Sequence, residues 1–395
     1  DWSPDTMMST MMTGHVSAVR IGLYTSLGGL RSEVNGCQDW DFVLRVAEVT
    51  CKITHIPKVL YHWRVIPGSI ASDITAKQYV RDASRRVRAD ALARRGLDGT
   101  VEEVPEVAGY FRVNYQPRGT PLVSIIIPTR DREDMLRRCI QSIESRSHYR
   151  DFELIVIDNG SREAATLAFL NELKSGARAR VIRDDRPFNF SALNNLAAEQ
   201  AHGDLLLFLN NDTEVLTPDW LERMAGFAQL AHVGAVGAKL VYPGARQTIQ
   251  HAGLINLQDG PGHAMLGMDA DAHGYFMRNL LDYDWSAVTG ACLMIEAAKF
   301  RNAGGFDETF PVAYNDVELC FRLVERGLHN VVCQAVRLRH FESQTRGLDH
   351  LDAEKARRQR DELCRLYDMH PRFYQHDPFH NVNLHPNSVH FELPR

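Results

Sequence analysis

The sequence predicts an α/β fold: a mostly parallel sheet flanked by helices. Three observations carry that expectation. Val123–Ile127, Glu153–Ile157 and Leu205–Leu209 are short runs, apolar but for Ser124 and Glu153, with no alternation, as in strands covered on both faces. Stretches with helical apolar spacing separate them, which builds βαβ units. Each run then ends in a polar turn: Pro128-Thr-Arg-Asp131, Asp158-Asn-Gly-Ser161 or Asn210-Asn-Asp212. In an open α/β sheet, ligands bind beyond the carboxyl ends of the strands, where these turns fall.

The elements follow in order. After the first strand, Asp131 is placed to cap a helix whose apolar face is Leu136, Ile140 and Ile143. The second strand, 153–157, is followed by a short third at Arg180–Arg183, a helix over Ser191–Ala201 and the fourth strand at 205–209. Upstream, residues 73–95 form a basic, Ala-rich helix closed by Gly96. Residues 97–120, with Pro105, Pro117 and Gly119, then read as a linker. Downstream, 352–367 is a second charged helix. The tail carries Pro371, Pro378, Pro386 and Pro394 and is expected to be extended and to wrap the surface.

Composition narrows the function classes. The chain has 395 residues, 44% hydrophobic and 24% charged, which excludes a disordered chain and is enough for two or three domains. The net charge of −5 argues against non-specific nucleic-acid binding. No apolar run approaches the ~18 residues of a membrane span. Seven scattered cysteines without a CxxC pair fit reduced thiols of the cytoplasm and offer no zinc site. Five histidines between His370 and His390 have irregular spacing and read as part of a surface tail. Residue 1 is Asp, and no signal-like segment follows it, so the chain reads as a piece of something longer or a processed product.

An internal repeat organises the chain. Thr13-Gly14 matches Thr289-Gly290, and Gly28-Gly29 matches Gly304-Gly305. Gln38-Asp-Trp-Asp41 matches Asn315-Asp-Val-Glu318, Arg45 matches Arg322, and His62 matches His340. All lie at offsets of 276 to 278 residues. Residues 1–72 therefore read as the C-terminal half of a first module and 73–120 as a helical connector and linker. The complete module is then 121–350, followed by a helix and extended tail at 351–395. The first copy shows Asp39 and His62 but no Asn/Asp-x-Asp turn, and its unpaired strand edges favour self-association.

Several residues of the complete copy suit definite chemistry. A carboxylate at Asp212, just past a buried strand, can hold a hard divalent cation, Mg²⁺ or Mn²⁺, that bridges a diphosphate. Asp316 and Glu318 are two apart on a helix start and cannot face the same way, so one points into a site while the other orients a neighbour or meets solvent. His340 can join Asp212 on a metal. Trp285, near Thr289-Gly290, suits either the core or a sugar-stacking wall.

Taken together, the chain resembles the family 2 glycosyltransferases with the GT-A fold, also described as nucleotide-diphospho-sugar transferase-like. The resemblance rests on Val-Ser-Ile-Ile-Ile-Pro-Thr-Arg-Asp at 123–131 and Ile-Val-Ile-Asp-Asn-Gly-Ser at 155–161. It adds the Asn210-x-Asp212 turn, Thr-Gly-Ala-Cys at 289–292, Asn-Asp at 315–316 and His340. It implies that Pro128, Thr129, Arg130, Asp131, Asp158, Asn194, Asn210 and Asn211 bind the donor, a UDP, dTDP or GDP sugar. Asp158 would hold the base, and Asp212 and His340 the Mg²⁺ or Mn²⁺. Trp285, Thr289 and Gly290 would meet the acceptor, and Asp316 would be the general base of inverting transfer.

Phe188-Asn-Phe-Ser-Ala-Leu-Asn-Asn195 with Ile249-Gln-His-Ala-Gly253 looks like the branch that builds bacterial surface polysaccharides such as O-antigen, rhamnosyltransferases included. This implies a glycan or lipid-linked acceptor and a cytoplasmic protein that contacts the inner face of the cell membrane peripherally. Position 210 is Asn where the family commonly has Asp, and 315 is Asn where it commonly has Glu. A non-catalytic nucleotide-sugar or glycan-binding scaffold is the alternative those two positions leave.

Overall fold

The computed structural model describes residues 1–62, 64, 78–176, 179–341 and 353–394. The boundaries at 72/73 and 350/351, the first turn of the expected 73–95 helix and Asp352 lie outside the described residues. The N-terminal part is helical: α1 Pro4–Ser9, α2 Ile21–Ser26, α3 Gln38–Ala47 and α4 Gln78–Arg94. A hairpin follows, β1 Gly99–Glu103 and β2 Phe111–Tyr115. Next come β3 Val123–Thr129, α5 Glu133–Arg146, β4 Phe152–Asp158, α6 Ala164–Ser175, β5 Ala179–Arg183, α7 Phe190–Glu199 and β6 Leu205–Leu209. The remainder is β7 Thr213–Val215, α8 Trp220–Ala228, β8 Val233–Val241, β9 Ile249–His251, β10 Leu254–Leu257, β11 Gly260–His263, β12 Tyr283–Trp285, β13 Cys292–Glu296, α9 Ala297–Ala303, α10 Asn315–Glu325, β14 His329–His340 and α11 Ala353–Met369.

The central sheet runs β12-β14-β8-β13-β6-β3-β4-β5, with β7 and β9 added on β14 and β8. The four expected strands β3, β4, β5 and β6 are present, adjacent and parallel. β13 is antiparallel to both β6 and β8, and β8 and β14 are parallel to each other. Apolar side chains of β3, β4 and β6 divide between two clusters, one on each face, which is why these strands read as unalternating runs. Because β6, β8 and β14 run in one direction with β13 antiparallel between β6 and β8, the 210–212 turn, the start of β13 and the end of β14 fall at the same end of the strands.

Four sequence expectations change. Residues 97–120 are not a plain linker but hold the β1–β2 hairpin, paired from Gly99↔Tyr115 to Glu103↔Phe111. Buried Tyr115 lies so close to α8 that a Cβ on Gly226 would sit 2.0 Å from Tyr115 O. Pro128 belongs to β3 rather than to a turn. Pairing with β6 ends at Ile126↔Phe208, so the missing N–H costs no ladder bond on that side. Asp131 does not cap α5, whose first flanking residue Arg132 takes φ 56°; it accepts instead from the N–H groups of Arg162 and Glu163 at 2.7 and 2.9 Å. Finally, the tail wraps the molecule as expected but also inserts into it. Phe373 stacks on Phe321 at 3.8 Å, and buried Asp377 accepts from Asn256 N and Ser286 Oγ, both at 2.6 Å.

The N-terminal part docks through buried polar contacts. Asp284 on β12 accepts from the N–H groups of Asp5 and Thr6 at 3.1 and 3.0 Å, and Asp5 meets His232 at 3.0 Å. Arg88 of α4 is fully buried, donates to Met8 O and Ser9 O, and lies over the Trp40 ring at 4.2 Å. Within this part, α3 Arg45 pairs with Asp41 at 2.8 Å and donates to Leu27 O and Gly29 O at 2.6 and 2.7 Å. Further along the chain, α10 Arg322 pairs with Glu318 at 2.6 Å and donates to Ala303 O and Gly305 O at 2.6 and 2.8 Å. The two clamps occupy corresponding positions of the sequence repeat. Each closes a glycine pair at positive φ, 76° and 70° for Gly28-Gly29 and 93° and 74° for Gly304-Gly305.

Candidate active site

The carboxyl end of β6 sets the site. Asn210 N donates to Ala291 O at 3.1 Å, which seats the 210–212 turn against the start of β13. Asn211 Nδ2 donates to Thr129 Oγ1 at 2.9 Å and ties the same turn to the end of β3. β7 then pairs antiparallel with the end of β14, His340 opposite Thr213, and Asp212 O accepts from Phe341 N at 2.9 Å. That register brings two residues 128 positions apart in sequence side by side: His340 Nε2 lies 3.0 Å from Asp212 Oδ1.

His340 is fixed from behind. Its Nδ1 meets Gln250 Oε1 of β9 at 2.8 Å. A carbonyl oxygen only accepts, so Nδ1 donates to Gln250 and Nε2 is the ring nitrogen turned toward Asp212. Asp212 is buried, and its Oδ1 meets no hydrogen-bond donor. An imidazole nitrogen and a carboxylate oxygen face each other at 3.0 Å in a buried place, a donor set that fits a divalent cation. Among the described residues no group of three or more His, Cys, Asp or Glu converges on such a position.

Asp316 reaches the same Gly290–Ala291 backbone from the start of α10. Its Oδ2 accepts the Gly290 N–H at 2.6 Å and its Oδ1 accepts the Val317 N–H at 2.8 Å. A Cβ on Gly290 would sit 3.4 Å from both Asp316 Cβ and the Phe190 ring, so glycine lets the carboxylate approach. Burial pushes the Asp316 carboxyl above its usual range, although the two N–H donors and His263 pull the other way. Glu318 turns away as the two-residue spacing requires, fully buried against Arg322 and His370.

The ends of β3 and β4 carry paired carboxylates. Asp158, buried at the end of β4, accepts from Ser161 N at 2.9 Å and from Arg183 Nη1 at 2.5 Å. Asp131 N receives support from Ser161 Oγ at 2.8 Å. Pro128 is half-buried and Arg130 exposed at the same strand end. Asn194 is fully buried on α7, donating to Phe190 O, and its Oδ1 has no partner. Thr289 is half-buried, with Oγ1 accepting from Ala291 N at 3.3 Å. The structure thus brings together Thr129, Asn210, Asn211, Asp212, Gly290, Asp316 and His340. Pro128, Arg130, Asp131 and Asp158 sit at the ends of β3 and β4.

Trp285 is corrected. It is 0% exposed in β12, where a Cβ on Gly253 would lie 2.2 Å from its ring, so no sugar reaches it. Its burial is that of a core residue. Sequence reasoning also assigned no role to Gln250, His251 or His263. His251 is fully buried, and its Nδ1 lies 3.0 Å from His263 Nδ1; burial, then His263 and His340, hold its pKa well below the usual value. The Gln-His pair at 250–251 was readable as a motif, but only the β8–β9 pairing shows that it backs His340.

The parallel half-sheet, the Asp-bearing turn after β6 and a helix-borne carboxylate opposite it define a GT-A domain. Residues 124–297 match the family described as Glycosyl transferase family 2, and this part of the chain is a family 2 glycosyltransferase domain. Two curated relatives extend across most of the chain. An uncharacterized protein, y4gI, of Sinorhizobium fredii is 42% identical over 395 residues, covering 97% of this chain and 42% of its own length. The O-antigen biosynthesis protein RfbC of Myxococcus xanthus is 38% identical over 361 residues, covering 88% of this chain and 27% of its own. The chain therefore spans less than half of either relative. Among solved structures, the mannosyltransferase PcManGT of Pyrobaculum calidifontis, in complex with GDP-Man and Mn²⁺, aligns at TM-score 0.47 and 14% identity, over 65% of this chain and 66% of that one. No helix among the described residues is long and apolar enough to cross a membrane.

Proposed function

We propose that residues 121–341 transfer a sugar from a nucleoside-diphosphate donor to a hydroxyl of a glycan or lipid-linked acceptor, with inversion, in building a bacterial surface polysaccharide. One observation supports this most: the Gly290–Ala291 backbone joins Asp316, through the Gly290 N–H, to the 210–212 turn whose Asp212 faces His340, through Ala291 O. The name of the Myxococcus relative supports the polysaccharide context.

Each residue has a task in this reading. Asp212 and His340 hold the cation, Mg²⁺ or Mn²⁺, which when bound offsets negative charge on the departing diphosphate. Asn210 and Asn211 hold the turn in place through Ala291 and Thr129, and Asp158 with Arg183 shapes the nucleotide end of the sheet. Asp316 takes the acceptor hydroxyl proton on its carboxylate oxygen as that hydroxyl attacks from the face opposite the leaving group. Its raised pKa makes it a better base than an ordinary aspartate. Asn at 315 does not remove this base, and Asn at 210 does not remove Asp212.

Calorimetric titration with UDP, dTDP and GDP, each with and without Mn²⁺, tests the reading. One nucleotide should bind far more tightly with the metal, and Asp212→Ala should abolish the difference. Metal-independent binding, or none by any of the three, would overturn it.

A further inference from the structure

The N-terminal part is buried on one side only. Val34, Cys37, Trp40 and Leu44 are in the core, packed with α4. The other side exposes large apolar side chains: Val16 is 71% exposed, Ile21 77% and Leu30 51%. Val19 and Tyr24 are each 37% exposed, and no residue of α2 is buried. Single exposed apolar residues are ordinary, but a run of them within fifteen positions is not.

The complete module shows what such a face is for. At the repeat offset, Val16, Val19, Ile21, Tyr24 and Leu30 correspond to Cys292, Ile295, Ala297, Phe300 and Phe306. Those five are 0%, 0%, 1%, 3% and 2% exposed. They are covered by the parallel half of the sheet: Cys292–Glu296 pairs with β6, and Phe300 and Phe306 pack on Phe208 at 5.0 and 4.8 Å. Residues 16–20, the counterpart of β13, pair with no strand among the described residues. The chain's own β6 is already flanked by β3 and β13, so it has no free edge to offer.

We infer that the face formed by residues 16–30 is a docking surface for a second nucleotide-binding half of the GT-A kind, a parallel half-sheet equivalent to β3–β6 from polypeptide outside residues 1–395. Positional agreement supports that occupant, since every exposed apolar residue named falls where the complete copy buries one against such a half. The shared Arg45 and Arg322 clamps keep the two faces alike in shape. Both curated relatives carry more chain than the part matched here. The inference stands on burial and does not depend on the transfer chemistry proposed for the complete module.

Hydrogen exchange over residues 16–30 tests it, compared between the 395-residue chain and the natural gene product that contains it. Exchange should be fast in the 395-residue chain at every concentration and slower by at least about tenfold in the gene product. Ile21→Asp, at a side chain 77% exposed, should leave the melting temperature of the 395-residue chain unchanged and remove the protection in the gene product. Equal exchange in the two proteins would overturn the inference. So would protection that appears in the 395-residue chain as its concentration rises, which would show that a second copy covers the face.

Discussion

Asp316 Oδ2 accepts the N–H of Gly290 at 2.6 Å, and the next residue, Ala291, accepts the N–H of Asn210. Two consecutive residues therefore link the proposed base to the turn that carries Asp212. Replacing Asp316 by Asn keeps a hydrogen-bond acceptor for Gly290 and removes the base. Turnover should fall by about 10²–10⁴-fold while nucleotide affinity with Mn²⁺ stays within about twofold. Parallel kinetics and calorimetry on the variant check this; an equal loss of nucleotide affinity would assign Asp316 to donor binding instead.

The same carboxyl sets a pH dependence. Burial raises its pKa, and only the ionised form accepts a proton. As pH falls through that raised pKa, the active fraction declines, so kcat/KM should lose activity at a higher pH than an unperturbed aspartate would give. A pH–rate profile reads the limb directly. An acid limb at or below the ordinary aspartate value would contradict the burial argument.

Gln250 is a positioning residue in this account: it holds the His340 Nδ1 proton at 2.8 Å and so fixes which nitrogen faces Asp212. Gln250→Ala should weaken Mn²⁺ binding by about 10–100-fold, measured by the electron paramagnetic resonance of free Mn²⁺. Gln250→Glu, which keeps an acceptor toward Nδ1, should restore much of it. Unchanged Mn²⁺ affinity in Gln250→Ala would remove the role.

Gly253 has φ 134° and touches the Trp285 ring, so Gly253→Ala meets both backbone strain and a steric clash. A loss of about 3 kcal/mol or more is expected from denaturant unfolding. Trp285→Phe should lower stability as well, yet leave the acceptor KM unchanged. A selective rise in that KM would return Trp285 to the acceptor site.

Much of this was legible in the sequence for one physical reason. Strands covered on both faces read as unbroken apolar runs, so β3, β4 and β6 and the turns after them are visible one-dimensionally. The Arg45 and Arg322 clamps were visible as a repeat. What sequence could not show were contacts set by strand register. His340 meets Asp212 only because β14 pairs with β7, and Gln250 meets His340 only because β9 adds to β8. Trp285 was misread because an aromatic near a Thr-Gly turn looks the same in sequence whether a glycine opposite it closes the core or a sugar fills the space. The β1–β2 hairpin was hidden by Pro105 and Gly109, which fall in the connection between its strands.

The most direct test is release of nucleoside diphosphate from a panel of UDP, dTDP and GDP sugars, with Mn²⁺ and a bacterial glycolipid acceptor extract. The protein and its Asp316→Asn variant are measured side by side. The account expects acceptor-dependent release from at least one donor, lost on chelation with EDTA and lost in the variant. Release that persists undiminished in Asp316→Asn, or in excess EDTA, would contradict it.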